Sequence, residues 1–124
     1  MLTSKEQFDS LVSQAIDELP EKFKKRLNNV AIFVEDTPTQ EQLRKAKLSS
    51  GQALFGLFEG YAQAKKLNFG PVLPDKITIF RQAIMAYSAD MDEVKEKVSS
   101  TVKHEIAHHF GSDETGARKA GKII

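Results

Sequence analysis

The chain has 124 residues, 40% hydrophobic and 28% charged, with a formal net charge of +1 and no cysteine. That length is enough for one domain to bury most of its apolar surface unaided, and the missing cysteines exclude thiolate metal ligands, redox pairs and disulfides together. A charge so close to zero gives no bulk electrostatic reason to expect nucleic acid or an anionic membrane as partner.

No apolar run approaches the ~20 residues of a membrane span. The opening residues Met1 to Phe8 lack the basic-then-apolar pattern of a signal peptide. The expectation is therefore a single cytoplasmic domain over residues 1–124 that binds neither membrane nor nucleic acid. The one basic cluster, Lys22, Lys24, Lys25 and Arg26, reads as a solvated helix face.

In chain order, Phe8, Leu11, Val12, Ala15, Ile16 and Leu19 recur at helical spacing and form one apolar stripe. Thr3 with Glu6 is a candidate capping box for this helix, and Pro20 marks its end. Residues 20–28 predict a short second helix with Phe23 and Leu27 turned inward. The β-branched and aromatic run Val30 to Val34 is too short for a helix and reads as a buried strand. Thr37 as cap and Pro38 as first helical residue predict a short helix to about Lys45.

Ser49-Ser50-Gly51 is a turn. Ala53 to Glu59 is ambiguous by periodicity, and Gly51, Gly56, Gly60 and two phenylalanines favour a strand. Gly60 to Asp75 is a long surface loop, either of the kind that often borders a binding cleft or a connection with no role beyond its geometry. Ile77 to Phe80 is a third strand, followed by a connection at Tyr87 to Ala89. Asp90 with Glu93 three residues later predicts the start of the last helix, which runs through Phe110 and stops at Gly111.

The chemistry is concentrated in that helix. His104 and His108 are four apart and share one face, with Glu105 between them, which is the spacing of two metal-ligating imidazoles and a general base. With His104 at zero and about 100° per residue, His108 falls near 40°, while Met91, Val94, Val98 and Val102 fall between about 80° and 160°. The imidazoles are thus expected to flank the core stripe. Glu105, near 100°, sits at its edge, where an unpartnered carboxylate is costly; a cation and its water would supply the partner. His109, near 140°, points along the core stripe and reads as a core or supporting histidine. After Gly111 the chain can turn back and bring Asp113 or Glu114 towards the same metal. All three histidines of the chain fall within this segment.

The segment Val102 to Gly111 resembles the active-site helix of zincin metallopeptidases, and its continuation to Glu114 follows the H-E-x-x-H-x-x-G-x-x-D/H spacing of metzincin-like members. More closely, the chain is similar to a small bacterial family of minimal zincin-like metallopeptidases, formerly a domain of unknown function. That likeness also covers Leu57 to Gly60, Leu73 to Arg81 and the acidic pair after the motif. It implies an α/β (α+β) fold: a small twisted sheet of about three strands, a backing helix, and the active-site helix beneath the edge strand. It implies Zn2+ as cofactor, His104 and His108 as ligands, Glu114 or alternatively Asp113 as third ligand, and Glu105 as base. Zinc would lower the pKa of a bound water and polarise the scissile carbonyl, and Glu105 would carry the proton to the leaving amine. An exposed edge strand would hold an extended peptide or protein substrate by strand addition.

Two features depart from the metzincin pattern. The third-ligand position carries Glu114 where His or Asp is usual, and only ten residues follow it, none of them methionine, so the lower wall of a metzincin cleft is expected to be missing. The alternative function is accordingly a catalytically weak or inactive zincin scaffold that binds peptide or protein. A metal-dependent hydrolase of RNA is disfavoured by the neutral charge and by Glu105 within the motif. Arg81, Tyr87 and His109 are candidates for stabilising the oxyanion, with no spacing that selects among them.

Overall fold

The computed structural model describes residues 4–48, 53–60 and 75–110, with side chains through His108. Helix α1 spans Lys5–Asp17. Its cap is one residue later than expected: Ser4 Oγ accepts from Gln7 N–H, and Gln7 Oε1 accepts from Ser4 N–H, both at 3.1 Å. Thr3 lies outside the described residues. The apolar stripe is as predicted, with Phe8, Val12, Ala15 and Leu19 buried.

Helix α2 covers Glu21–Arg26 and tightens into a 3₁₀ turn over Leu27–Asn29 before strand β1, Val30–Glu35. Helix α3, Gln40–Lys45, is capped by Thr39 rather than Thr37, through a second reciprocal box with Gln42. The expected first helical residue, Pro38, therefore precedes the helix. Its far end closes as a Schellman motif: Leu48 N–H donates to Leu43 O and Lys47 N–H to Arg44 O, both at 3.0 Å. Lys47 takes the left-handed position with φ 60°.

Strand β2 is Gly56–Glu59, the core of the longer strand expected, and β3 is Asp75–Phe80. Between them, the expected Gly60 to Asp75 loop falls, except for its ends, outside the described residues, as does the Ser49-Ser50-Gly51 turn. A short helix α4, Arg81–Ala86, follows β3 over residues for which no element is expected, ahead of the connection at Tyr87 to Ala89. Helix α5 runs from Met91 to Phe110. Its start is the predicted one: Asp90 Oδ1 accepts from Glu93 N–H at 2.9 Å, and Glu93 Oε1 reaches back to Ala89 N–H.

The three strands form one mixed sheet in the order β1-β3-β2. β1 is parallel to β3 with Ile32 opposite Ile77, and β2 is antiparallel to it with Phe58 opposite Ile77. Alternation along the strands sends Ile77, Ile79 and Phe58 to one face, where they meet α1 and α5 in the main core with Phe8, Val12, Val94, Val98, Val102 and Ile106. Leu57 and Phe80 face the other way and pack with Leu54 and Ala46 in a smaller cluster beneath α3. This is the small twisted-sheet α+β architecture expected, with α5 lying beneath β2.

Candidate metal centre

Helix α5 is held under the sheet by a row one turn apart, Val94, Val98, Val102 and Ile106, each 0–1% exposed. Burying each such side chain is worth roughly 1.5–3 kcal/mol, so the rotation of the helix about its axis is strongly fixed. That rotation aims Thr101 and Glu105 at β2.

At Gly56 the helix comes so close that a Cβ there would stand 2.5 Å from Thr101 Cγ2 and 3.2 Å from the Thr78 carbonyl oxygen. One helical turn on, Glu105 Oε1 accepts a hydrogen bond from Phe58 N–H at 3.0 Å. Thr101 at Gly56 and Glu105 at Phe58 show that helix and strand run in the same direction.

Glu105 is only 3% exposed. Burial raises its carboxyl from the ordinary range to about 7, against the opposing pull of the Phe58 amide. The sequence reading put this side chain at the edge of the stripe, with a cation's water as its partner. The structure sets it deeper and supplies a partner from the protein itself. Neither Phe58 N–H nor the contact of Gly56 with Thr101 was foreseen, although a glycine inside a strand is a signal of close backbone approach.

Both imidazoles are expected to flank the core stripe, and the two differ in depth. His104 is buried at 5% exposure, while His108, one turn nearer the helix end, is exposed. Their rings lie nearly parallel, 12° apart, with centroids 6.0 Å from one another. Two imidazoles on a single zinc, each at about 2.0–2.1 Å through nitrogen, have centroids roughly 5–6 Å apart. The centroid separation of His104 and His108 lies at the upper end of that range. Among the described residues no group of three His, Cys, Asp or Glu is placed to hold a metal ion. Both third-ligand candidates, Glu114 and Asp113, lie outside the described residues, together with Gly111 and the side chain of His109.

Two of the proposed oxyanion groups are far from Glu105. Arg81 follows β3 at the end where Phe80 N–H donates to Phe55 O, and its Nε donates to Asp36 Oδ1 at 2.9 Å. The Tyr87 ring packs edge-on against Phe55 at 5.7 Å. Phe55 directly precedes β2 and is three residues from Phe58, about 10 Å along extended chain.

No helix among the described residues is long and apolar enough to cross a membrane. No curated protein matches the sequence. The fold is similar to that of a conserved hypothetical protein of T. thermophilus, at 24% identity and a TM-score of 0.55, over 91% of this chain and 98% of the other. The model of the zincin-like metallopeptidases matches residues 27–121, a span that takes in the whole sheet, α5 and both acids after it. The chain belongs to the zincin-like metallopeptidase family.

Proposed function

We propose that this protein is a zinc-dependent peptidase that hydrolyses a peptide or protein substrate with Glu105 as general base. The observation that carries the proposal is the placement of Glu105: buried, between His104 and His108 on one helix, and bound to the backbone of β2.

His104 and His108 would hold the zinc with one acid from beyond the helix, Glu114 first and Asp113 second. When bound, zinc supplies Lewis acidity, making a water acidic near neutral pH and polarising the scissile carbonyl. Glu105 takes the proton of the attacking water on its carboxylate and gives it to the leaving amine. In the metal-free chain burial favours the neutral carboxyl, and a bound cation would favour the carboxylate that the base role needs. The enclosing core on one side and β2 on the other exclude bulk water from the carboxylate, and the Phe58 amide fixes its orientation.

The test separates metal from chemistry. Glu105→Gln should retain stoichiometric zinc and lose hydrolysis of a peptide library. His104→Ala should lose zinc. Hydrolysis retained by Glu105→Gln rules out the base assignment, and zinc binding with no hydrolysis by the wild type favours a peptide-binding module.

A further inference from the structure

We infer that β1 is a dimerisation edge: a second copy of this chain adds its own β1 antiparallel to the first, about a two-fold axis at Phe33, and the two sheets join into one. The inference goes beyond the peptidase reading and does not depend on it.

β1 is an edge strand, since the sheet order is β1-β3-β2. Which of its backbone groups face outward follows from the bonds of β3. Phe80 N–H donates to Phe55 O at 2.9 Å, so residue 80 and, by alternation, Thr78 and Lys76 turn their backbone groups to β2. Ile77 and Ile79 then turn theirs to β1. In the parallel register of Ile32 with Ile77, those two residues bond to Ala31, Phe33 and Glu35. Ile32 and Val34 are left with N–H and C=O on the free edge, and no backbone group among the described residues bonds to them there. Val30 N–H, which faces the same way, donates to Leu27 O.

Edge strands are usually guarded by charge, proline or a bulge. β1 has none of these from Ala31 to Val34: those residues are apolar, and pairing with β3 runs unbroken from Val30 to Glu35. The edge is open above and below. On the inner face it borders a groove of about 360 Å³ lined by Lys5, Asp9 and Ser13 of α1 and by Ile32 and Val34. On the outer face Phe33 is 47% exposed, with Lys76 Nζ 5.2 Å from its ring centre.

Symmetry and charge select the occupant. A two-fold axis perpendicular to the sheet keeps every residue on its own face, so opposed residues must share a face and the axis must pass through a residue. With the axis at Phe33, Ile32 meets Val34 of the second copy, and their outward N–H and C=O groups bond reciprocally. The two phenylalanines meet each other, and Ala31 meets Glu35 of the second copy. Lys76 stands beside Ala31 in the register and on the same face. Glu35 of the second copy is therefore two strands from Lys76, roughly 10 Å between Cα atoms, with only the methyl of Ala31 between them. Lysine and glutamate side chains together span that distance, and the match occurs on both sides of the axis. Moving the axis to Ile32 or Val34 sets Glu35 against Asn29 or Phe33 and takes it away from Lys76.

Sedimentation velocity of the full chain, from micromolar to submillimolar concentration, should show a species of twice the chain mass; a single-chain mass throughout overturns the proposal. Glu35→Lys and Lys76→Glu should each weaken the dimer on the order of ten-fold, and the double variant should recover most of the loss, because it restores the charge match across the axis. A merely local role for either side chain would not be rescued by the other, so singles without effect, or a double no better than the singles, overturn the proposal. The register is read by cross-linking. The chain has no cysteine, and Phe33 faces its own copy in a closely spaced pair, within reach of a disulfide. Phe33→Cys should oxidise to a covalent dimer at concentrations where Tyr87→Cys, at an exposed aromatic position, stays single. No cross-linking at position 33, or equal cross-linking at both, places the contact elsewhere and overturns the proposal.

Discussion

Replacing Gly56 by alanine tests whether the approach of α5 to β2 is what sets the site. The new methyl would stand 2.5 Å from Thr101 Cγ2, 3.2 Å from Thr78 O and 3.6 Å from Ile79 Cδ1. Carbon atoms in contact rest about 3.5–4.0 Å apart, so helix and strand must separate by roughly 1 Å at this point. Little can yield: Thr101 is 5% exposed, Thr78 contributes backbone, and Ile79 is completely buried. Overpacking of this kind costs about 1–3 kcal/mol, which for a domain this size lowers Tm by roughly 4–12 °C. The same separation strains the 3.0 Å bond from Phe58 to Glu105, one turn along the helix. Thermal unfolding of the four members of a double-mutant cycle, Gly56→Ala, Thr101→Ser, both and neither, is the assay. Thr101→Ser removes the clashing Cγ2 and keeps the hydroxyl, so the double variant should recover at least half of the loss. A Gly56→Ala protein as stable as wild type, or strict additivity in the cycle, would refute the reasoning.

Three further outcomes follow from the same geometry. The Glu105 carboxyl is raised in the folded state from 4.5 to about 7, so its contribution favours folding fully below about pH 4.5 and is lost as pH rises through 7. Metal-free wild type should be about 2–3 kcal/mol less stable at pH 8 than at pH 5 on this account, and Glu105→Gln should flatten that dependence in denaturant titrations; an unchanged slope would contradict it. His104→Ala and His108→Ala should both abolish zinc binding by atomic absorption, yet differ without metal. The buried His104 should cost about 1–3 kcal/mol and the exposed His108 less than about 0.5 kcal/mol. Equal losses would mean that the burial difference is wrong. Lys47→Gly should stabilise the protein by about 0.5–1 kcal/mol, since the left-handed φ of 60° suits glycine and the Schellman bonds need no side chain; a lower Tm would count against it.

What the chain displayed before folding was local. The β-branched run of β1, the apolar stripe of α1 and the Asp90–Glu93 start of α5 are short-range patterns, and each lies where it was predicted. The caps of α1 and α3 slid by one and two residues because alternative boxes overlap. Thr3/Glu6 competes with Ser4/Gln7, and the box that forms is Ser4 with Gln7. Helix α4 carried no signal, since Phe80 makes no side-chain cap. It is held from outside, by Gln82 N–H on Asp36 O, by Ser88 Oγ on Ile84 O and by the burial of Ile84. The motif itself was legible from spacing, but the partner of Glu105 was not. Phe58 is 47 residues away, its contribution is a backbone amide, and no residue type encodes a backbone amide.

That difference bears on how a helix of this kind becomes a site. The spacing of His104, Glu105 and His108 puts three functional groups within one turn, but a helix alone leaves all of them free to face solvent. Val94, Val98, Val102 and Ile106 fix its rotation by burial, and Gly56 fixes its height by letting Thr101 touch the strand. With rotation and height set, position 105 can only fall beneath the outer edge of β2, and a carboxylate there meets the Phe58 amide. Position 108 falls one turn nearer the helix end and stays accessible, while position 104 is enclosed. One buried and one exposed imidazole, with a buried acid between them, therefore follow from packing that makes no use of the metal. On the roles proposed above, such packing would hold the base and the inner ligand in place before a metal bound and would leave the outer ligand open to solvent.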